Sequence, residues 1–320
     1  MSWDSSQVQS VGRRVVGALG VSLVAVAAAL CGPAWGGAEG AFSTTDHDAR
    51  GLAMGGACIS LAGGDAAVHW NPAGLSRISA RSVTAAHGDL IEGVPSGLTT
   101  ISFAFPWGRE PGTEGPHDRG DRWALGAYLS RLGLDDVAGF AAWNETALSG
   151  ALARTLVGYI SIGLSVRYLN VSSDIEEGSA NGISADLAVS VNTTNRTRAA
   201  LVVRNGLGRL NWSSGTNESL PTAADFAFSY VHEKWASTEL ALHFDQNGMA
   251  TVSIGLEASP APDKIVFWGG LKRHRTTSPR SVPSFGVGVP ARGLMVSYGA
   301  SFDENDAFGT AQRFSVRANF

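Results

Sequence analysis

Residues 160–168 read ISIGLSVRY, with an apolar residue at every second position from Ile160 to Tyr168. Serine, glycine and arginine fill the positions between them. Successive side chains of a β-strand point to opposite faces, so this stretch predicts a strand with one apolar face and one small or polar face. The segments 183–191 and 294–302 repeat the pattern.

The same alternation continues along the chain after residue 80. It predicts fourteen strands, approximately at 81–90, 98–106, 122–131, 146–156, 159–170, 181–191, 198–206, 222–231, 235–244, 249–258, 263–272, 282–289, 292–302 and 311–320. Over much of the chain long connections, such as 132–145 and 207–221, alternate with short ones, such as 157–158 and 232–234. An even number of strands with short turns on one side is typical of an outer-membrane barrel.

A soluble β-sandwich or β-barrel would also show this alternation, but it would need its bulky apolar side chains inside. In this chain the second face of the strands carries mainly Ser, Gly and Ala, with scattered charges such as Asp225 and Glu239. A membrane barrel places the bulk outside, against lipid, and closes because every backbone polar group must be paired in hydrocarbon. We therefore predict an all-β fold, a transmembrane antiparallel β-barrel of about 14 strands.

Aromatic residues near the strand ends fit this prediction. Trp107, Trp123, Trp143 and Trp235 would suit the aromatic girdles at the two membrane interfaces. The last strand ends in Phe320, and such a terminal aromatic resembles the signal by which the barrel assembly machinery recognises bacterial outer-membrane barrels. We predict that role for Phe320.

The beginning of the sequence has the features of a secretory signal peptide. Arg13 and Arg14 precede the apolar run 15–30, and small residues follow at 36–38. A membrane anchor is the alternative, but sixteen residues are short against the ~20 that span a bilayer. We predict a signal peptide at 1–38, an N-terminal plug segment at 39–79 and the barrel at 80–320, exported to the bacterial outer membrane.

Composition excludes several classes of function. The 320 residues carry a net charge of −4, and without a basic tract this disfavours binding to nucleic acid. The two cysteines, Cys31 and Cys58, cannot build a disulfide framework or a zinc site. The sequence contains none of the common hydrolase, nucleotide-binding or zinc-protease motifs. We therefore expect no enzymatic activity, no catalytic residues, no metal site and no cofactor.

Residues 40–79 do not alternate and are rich in small residues. They contain Arg50–Ala57, RGLAMGGA, then Asp65, then Asn71–Leu75, NPAGL, just before the first predicted strand. This order resembles the N-terminal signature of the FadL-like outer-membrane barrels. The tryptophan before Asn71 and the modest chain length resemble the PorV/PorQ branch of that superfamily. The resemblance implies a fourteen-stranded barrel whose N-terminal segment lies in the lumen.

The plug and gating motif consists of Asn71, Pro72, Ala73, Gly74, Leu75, Gly55 and Gly56. Pro72 fixes its own φ and favours extended backbone at Asn71, whose side chain can cap nearby backbone groups. The glycines allow close packing of the backbone in a confined lumen. The motif either structures the plug only or takes a direct part in gating.

Charged residues on the small-residue face of the strands would line the lumen. We take Arg167, Arg204, Glu239, Arg313 and Arg317 as candidates that orient a ligand carboxylate. The alternative is that such charges only pair across neighbouring strands in a wet lumen.

The function we expect is binding and passage of a hydrophobic small molecule across the outer membrane, with outer-membrane lipid around the barrel. The alternative is a PorV-like interaction barrel that escorts secreted cargo in type nine secretion and binds a secreted protein tail at its external loops.

Overall fold

The structure is a computed structural model. It describes Phe42 and residues 47–89, 96–107, 123–134, 142–157, 159–233, 235–245, 248–261, 264–275, 279–303 and 309–320. The signal peptide expected at 1–38 lies outside the described residues.

The alternating segments form sixteen β-strands among the described residues. They are β1 Ser82–Asp89, β2 Ser96–Trp107, β3 Trp123–Leu134, β4 Trp143–Val157, β5 Ile160–Ser173, β6 Ala180–Asn192, β7 Thr197–Arg204, β8 Arg209–Trp212, β9 Asn217–Ser219, β10 Ala223–Glu233, β11 Ala236–Asp245, β12 Gly248–Ala261, β13 Ile265–His274, β14 Arg280–Ala291, β15 Leu294–Phe302 and β16 Thr310–Asn319.

Fourteen of these strands close into an antiparallel barrel, which confirms the predicted fold class. Each of them pairs with its neighbours in chain order, β7 pairs with β10, and the ring closes where β1 pairs with β16 in the register Ser82↔Asn319. Each predicted segment overlaps one of the fourteen strands. The short strands β8 and β9 form a hairpin that extends the end of β6, within the long connection predicted at 207–221.

The two faces of the barrel wall are inverted relative to a soluble protein. Bulky apolar side chains point outward, as in Ile183, which is 59% exposed, and Leu164, which is 47% exposed. The small residues between them, such as Ser165 and Ser184, are buried inside. A continuous apolar outer surface of this kind indicates contact with lipid rather than water. In the part of the chain that the structure describes, no helix has the length and hydrophobicity needed to cross a membrane.

The expected girdle residues do not all point outward. Trp107 and Trp235 are about half exposed, and Trp123 shares the outward face of β3 with Leu125. For Trp143 the prediction was wrong, because it shares the lumen face of β4 with Glu145. Its indole Nε1 donates a hydrogen bond of 2.9 Å to the Glu145 carboxylate, since a buried indole needs an acceptor.

Residues 47–79, called the inner segment below, lie inside the ring of strands. They form two short α-helices and two turns of 3-10 helix, with bounds Ala49–Ala53, Gly64–Ala66, Ala67–Trp70 and Pro72–Arg77. The first helix packs against β14, β15 and β16, whereas the last 3-10 turn packs against β4, β5 and β6. Contacts with opposite walls of the ring place the segment across the lumen.

Candidate functional site

The Asn-Pro turn fixes the inner segment both to itself and to the wall. Asn71 has an extended backbone, and its Oδ1 accepts a hydrogen bond of 3.1 Å from the amide of Ala73. Its Nδ2 donates to the carbonyl of Ile59 at 3.0 Å and to Oγ of Ser190 on β6 at 2.8 Å. Pro72 is the first residue of the following 3-10 turn, where its fixed φ suits helical backbone.

The other residues of the motif provide close packing. Ala73 and Leu75 are fully buried. At Gly74 a Cβ atom would lie 2.7 Å from a carbonyl oxygen of the inner segment, so no larger residue fits there. Gly55 and Gly56 have φ values of 61° and 79°, which favour glycine, and they turn the chain after the first helix.

Glycines of the barrel wall allow the inner segment to lie directly against the strands. At lumen-facing positions such as Gly163, Gly270 and Gly299, a Cβ atom would lie 2.2 Å from a backbone atom of the inner segment. Sequence reasoning assigned close packing only to glycines of the inner segment, namely Gly55, Gly56, Gly63, Gly64 and Gly74. The sequence does show glycines on the small-residue face of the predicted strands. Glycine at such a position does not by itself indicate a packed segment, because the same face lines an open lumen in other barrels.

Glu239 holds the middle of the inner segment. This carboxylate on β11 is 1% exposed and accepts three hydrogen bonds, from the amides of Ile59 at 2.5 Å and Leu61 at 2.7 Å and from the Ser60 hydroxyl at 2.7 Å. These bonds compensate the cost of burying the charge. Glu239 therefore serves as an anchor, and its role toward a ligand stays a prediction.

Arg204 holds the carbonyl end of the helix that precedes the Asn-Pro turn. Its guanidinium donates to the carbonyls of His69 and Trp70, both at 3.0 Å. It also pairs with Asp225 on the neighbouring strand β10, which receives a second hydrogen bond of 2.6 Å from His243. Cationic groups at a helix C-terminus compensate its exposed carbonyls, so Arg204 positions the motif.

Ion pairs also involve Arg167 and Arg317. Arg167 on β5 pairs with Asp186 on β6 at 2.8 Å, a cross-strand pair within the wall. Arg317 pairs with Asp65 of the inner segment at 3.2 Å and lies 3.2 Å from the Thr84 hydroxyl. Arg167 and Arg204 therefore pair across neighbouring strands, whereas Glu239 and Arg317 contact the inner segment.

Arg313 is 1% exposed and lies beside backbone carbonyls near the end of β1, with Nη1 3.4 Å from the Asp89 oxygen. The structure thus places all five charged candidates on the inside of the barrel. Whether any of them orients a ligand stays a prediction. Phe320 is 65% exposed at the edge where β16 meets the chain before β1, bonded through its backbone to Arg81, and its assembly role also stays a prediction.

A cavity lies between the inner segment and the end of the barrel that carries the long connections. The space inside this loop-side cavity that a water-sized sphere can occupy is about 30 Å³. Its apolar lining consists of Phe42 and of four strand residues, Leu98, Leu132, Ala147 and Leu169.

The inner segment and four wall residues, Tyr128, Ser130, Glu145 and Arg167, supply the polar side of the loop-side cavity. The His47 and His69 rings lie 3.5 Å apart, and His47 Nδ1 is hydrogen-bonded to the Tyr128 hydroxyl. Arg167 adds a guanidinium group that is already paired with Asp186. Apolar and polar groups thus share the lining, and a small organic molecule would fit here only if part of the inner segment moved. The described residues contain no cluster of His, Cys, Asp and Glu that could hold a metal ion.

Solved structures with the same barrel fold include known transporters. The toluene transporter TbuX of Ralstonia pickettii matches with a TM-score of 0.61 and 13% identity, over 87% of this chain and 100% of that one. The CymD monoaromatic hydrocarbon channel matches with a TM-score of 0.64 and 13% identity, over 88% and 99%. A FadL homologue of Pseudomonas aeruginosa matches with a TM-score of 0.58 and 13% identity, over 85% and 98%.

These comparisons show that the chain shares the barrel fold of these three proteins. At 13% identity they show the shared fold and nothing finer. No family model and no curated protein matches the sequence. The resemblance to the PorV/PorQ branch therefore stays a prediction.

Proposed function

We propose that this chain is a non-enzymatic channel of the bacterial outer membrane that binds a hydrophobic small molecule in the loop-side cavity and passes it inward. The observation that carries the proposal is the cavity itself, whose wall carries four apolar side chains and which lies inside a barrel with an apolar outer surface, directly against the inner segment. The fold shared with hydrocarbon transporters supports it.

In this proposal the inner segment is the plug that separates the loop side of the lumen from the turn side. It packs closely against wall glycines and alanines, and it also makes polar contacts with the wall through Glu239, Arg204 and Arg317. Polar contacts of this kind have defined geometry, and they can exchange with water when a ligand displaces the segment. A bound molecule would leave by displacing part of the inner segment or sideways between strands, and no nucleotide is involved.

The alternative role as an escort for secreted proteins stays a prediction, because no feature of the described residues favours a bound protein tail. Swapping the long connections would separate the two functions. If the protein is an escort, such swaps would abolish secretion of cargo and leave uptake through the lumen intact.

Uptake of labelled toluene by a bacterial host without its own hydrocarbon channels tests the proposal. The variant Ala147→Phe places a ring in the loop-side cavity, because Ala147 faces the lumen on β4. The matched control is Ala127→Phe, which adds the same ring to the exposed, outward face of β3.

We expect the native barrel to raise the initial uptake rate at micromolar toluene, Ala147→Phe to lower it at least fivefold, and Ala127→Phe to leave it unchanged. Membrane fractionation must find each variant in the outer membrane at the native level. Uptake that is equal in the two variants, or no uptake above the empty host, would overturn the proposal.

A further inference from the structure

Seven polar side chains form one continuous row on the outward face of the barrel wall, toward the end that carries the long connections. Each of them is the cross-strand partner of the next, and all are exposed or half-buried. This polar row consists of Thr99, Arg131, Thr146, Asn170, Asn181, Asn211 and Asn217. Cross-strand partners share one face of a sheet, so the seven side chains form a single surface.

The neighbouring row of outward positions, two residues along each strand toward the short turns, is apolar over five strands. Its side chains are 40–59% exposed and belong to Ile101, Leu129, Leu148, Tyr168 and Ile183. Exposed apolar side chains on the wall of a membrane barrel contact lipid chains. The boundary between the two rows therefore marks the level of the lipid head groups on this wall.

Arg209 takes the next position in the apolar row, as the cross-strand partner of Ile183. Its side chain is exposed, and among the described residues its guanidinium group forms no hydrogen bond and no ion pair within 4 Å. A charge on the lipid face costs little near the head groups, and an anion that binds there compensates it. A guanidinium group binds phosphate especially well, through two parallel hydrogen bonds.

The acidic residues of this part of the wall do not share the outward face with Arg209. Residues 159–232 contain six of them. Three face the inside of the barrel, namely Asp186, Glu218 and Asp225. The other three lie in the connection that follows β5, beyond the polar row, namely Asp174, Glu176 and Glu177. The described outward face around Arg209 therefore carries amides and no carboxylate.

The amides of the polar row define the rest of the ligand. Asparagine occupies four successive positions of the row, at 170, 181, 211 and 217. A side-chain amide both donates and accepts hydrogen bonds, as a sugar hydroxyl does, so a row of amides suits a saccharide head group. A ligand that matches the whole surface carries acyl chains, a sugar and a phosphate.

The side of the membrane narrows the choice of lipid. Long connections of outer-membrane barrels are extracellular, so the polar row lies at the level of the outer leaflet. The lipid A of that leaflet is an acylated, phosphorylated glucosamine disaccharide, and it combines the three groups in one molecule.

We propose that this wall binds lipid A, with a phosphate on Arg209, the sugar against Asn181 and Asn211, and acyl chains against Ile183 and Tyr168. The site lies on the outside of the barrel. It rests on the location of the barrel in the outer membrane and does not depend on passage of a ligand through the lumen.

Native mass spectrometry of the mature protein, released from detergent micelles at rising concentrations of lipid A, tests this site. Dephosphorylated lipid A is the ligand control. Arg209→Gln removes the proposed phosphate contact, and Arg209→Lys keeps the charge. Arg273→Gln is the matched protein control, because Arg273 is also exposed near the loop end of its strand and shares the outward face of β13 with Leu271.

We expect Arg209→Gln to weaken the binding of lipid A at least fivefold, Arg209→Lys to retain most of the affinity, and Arg273→Gln to change it less than twofold. Dephosphorylated lipid A should bind more weakly and equally to all four proteins. Ala147→Phe should leave the binding of lipid A unchanged, which keeps this result separate from the function of the loop-side cavity.

Phosphatidylglycerol, which carries a phosphate and two acyl chains but no sugar, tests the part of the amides. We expect the native protein to bind it at least fivefold more weakly than lipid A. Equal binding of the two lipids would overturn the assignment to lipid A. Equal binding of lipid A to the native protein and to Arg209→Gln would overturn the site itself.

Discussion

The side-chain amide of Asn71 donates a hydrogen bond of 3.0 Å to the main-chain carbonyl of Ile59, twelve residues earlier in the chain. The same nitrogen also donates to Ser190 on the barrel wall, while the side-chain oxygen caps the following 3-10 turn. Asn71 thus joins two parts of the inner segment and one strand. An ordinary helix cap needs only the oxygen.

This relationship predicts that aspartate cannot replace Asn71, although aspartate is as good as asparagine at an ordinary N-cap. In Asn71→Asp the capping oxygen is kept, but a carboxylate oxygen replaces the nitrogen opposite the Ile59 carbonyl. We expect the free energy of unfolding to fall by about 2–4 kcal/mol, because the new charge is buried and one of its oxygens faces the Ile59 carbonyl, which is also an acceptor.

Urea titration of tryptophan fluorescence measures the change, with Asn71→Ala for comparison. We expect Asn71→Ala to be at least as stable as Asn71→Asp. If Asn71→Asp were as stable as the native protein, Asn71 would act as a cap alone.

A second prediction concerns the anchor at Glu239. In Glu239→Gln an amide NH₂ group takes the place of one of the oxygens that accept from Ile59, Ser60 and Leu61. Leaving a buried N–H unpaired costs about 1–3 kcal/mol, so backbone amides at 57–62 should exchange with deuterium at least tenfold faster. Hydrogen-exchange mass spectrometry in nanodiscs measures this directly.

Glu218→Gln is the matched control for that experiment. Glu218 accepts a 2.8 Å bond from the Trp212 indole in the β8–β9 hairpin, remote from the inner segment. The variant Glu218→Gln should leave deuterium exchange of the backbone amides at 57–62 unchanged. Equal protection in both variants would mean that Glu239 does not hold the segment.

A third prediction concerns the wall glycines. In Gly163→Ala the new methyl group would lie 2.2 Å from the backbone of the inner segment, whereas in Gly150→Ala it would meet no atom within 4 Å. Overpacking at Gly163 should lower the free energy of unfolding by about 1–3 kcal/mol. The urea midpoint should fall for Gly163→Ala and not for Gly150→Ala, and equal midpoints would mean that the segment does not lie against this wall.

The barrel was predictable from the sequence because its signal is local. Alternation such as that of Ile160–Tyr168 depends on neighbouring residues only, and a lipid-facing strand keeps it along its whole length. The turn at Asn71 was predictable for the same reason, since Pro72 restricts the backbone on both sides of the bond between them.

The contacts that build the site were not predictable, because they join residues that lie far apart in the chain. Glu239 and Ile59 are separated by 180 positions, and Arg204 and Trp70 by 134. Nothing in the neighbourhood of Glu239 marks it as an acceptor for backbone amides. Trp143 was misplaced for a different reason: the prediction used its position near a strand end and not the face of the strand, which Trp143 shares with Glu145.

The most direct test of the account is a crystal structure of the protein soaked with 4-bromotoluene, with anomalous scattering used to locate the bromine. The account predicts a bromine peak in the loop-side cavity, within van der Waals distance of Leu98, Leu132 and Leu169. The peak should be lost in Ala147→Phe and kept in Ala127→Phe. An ordered bromine found only elsewhere in the lumen, or an empty cavity at saturating ligand, would contradict the assignment of this cavity as the binding site.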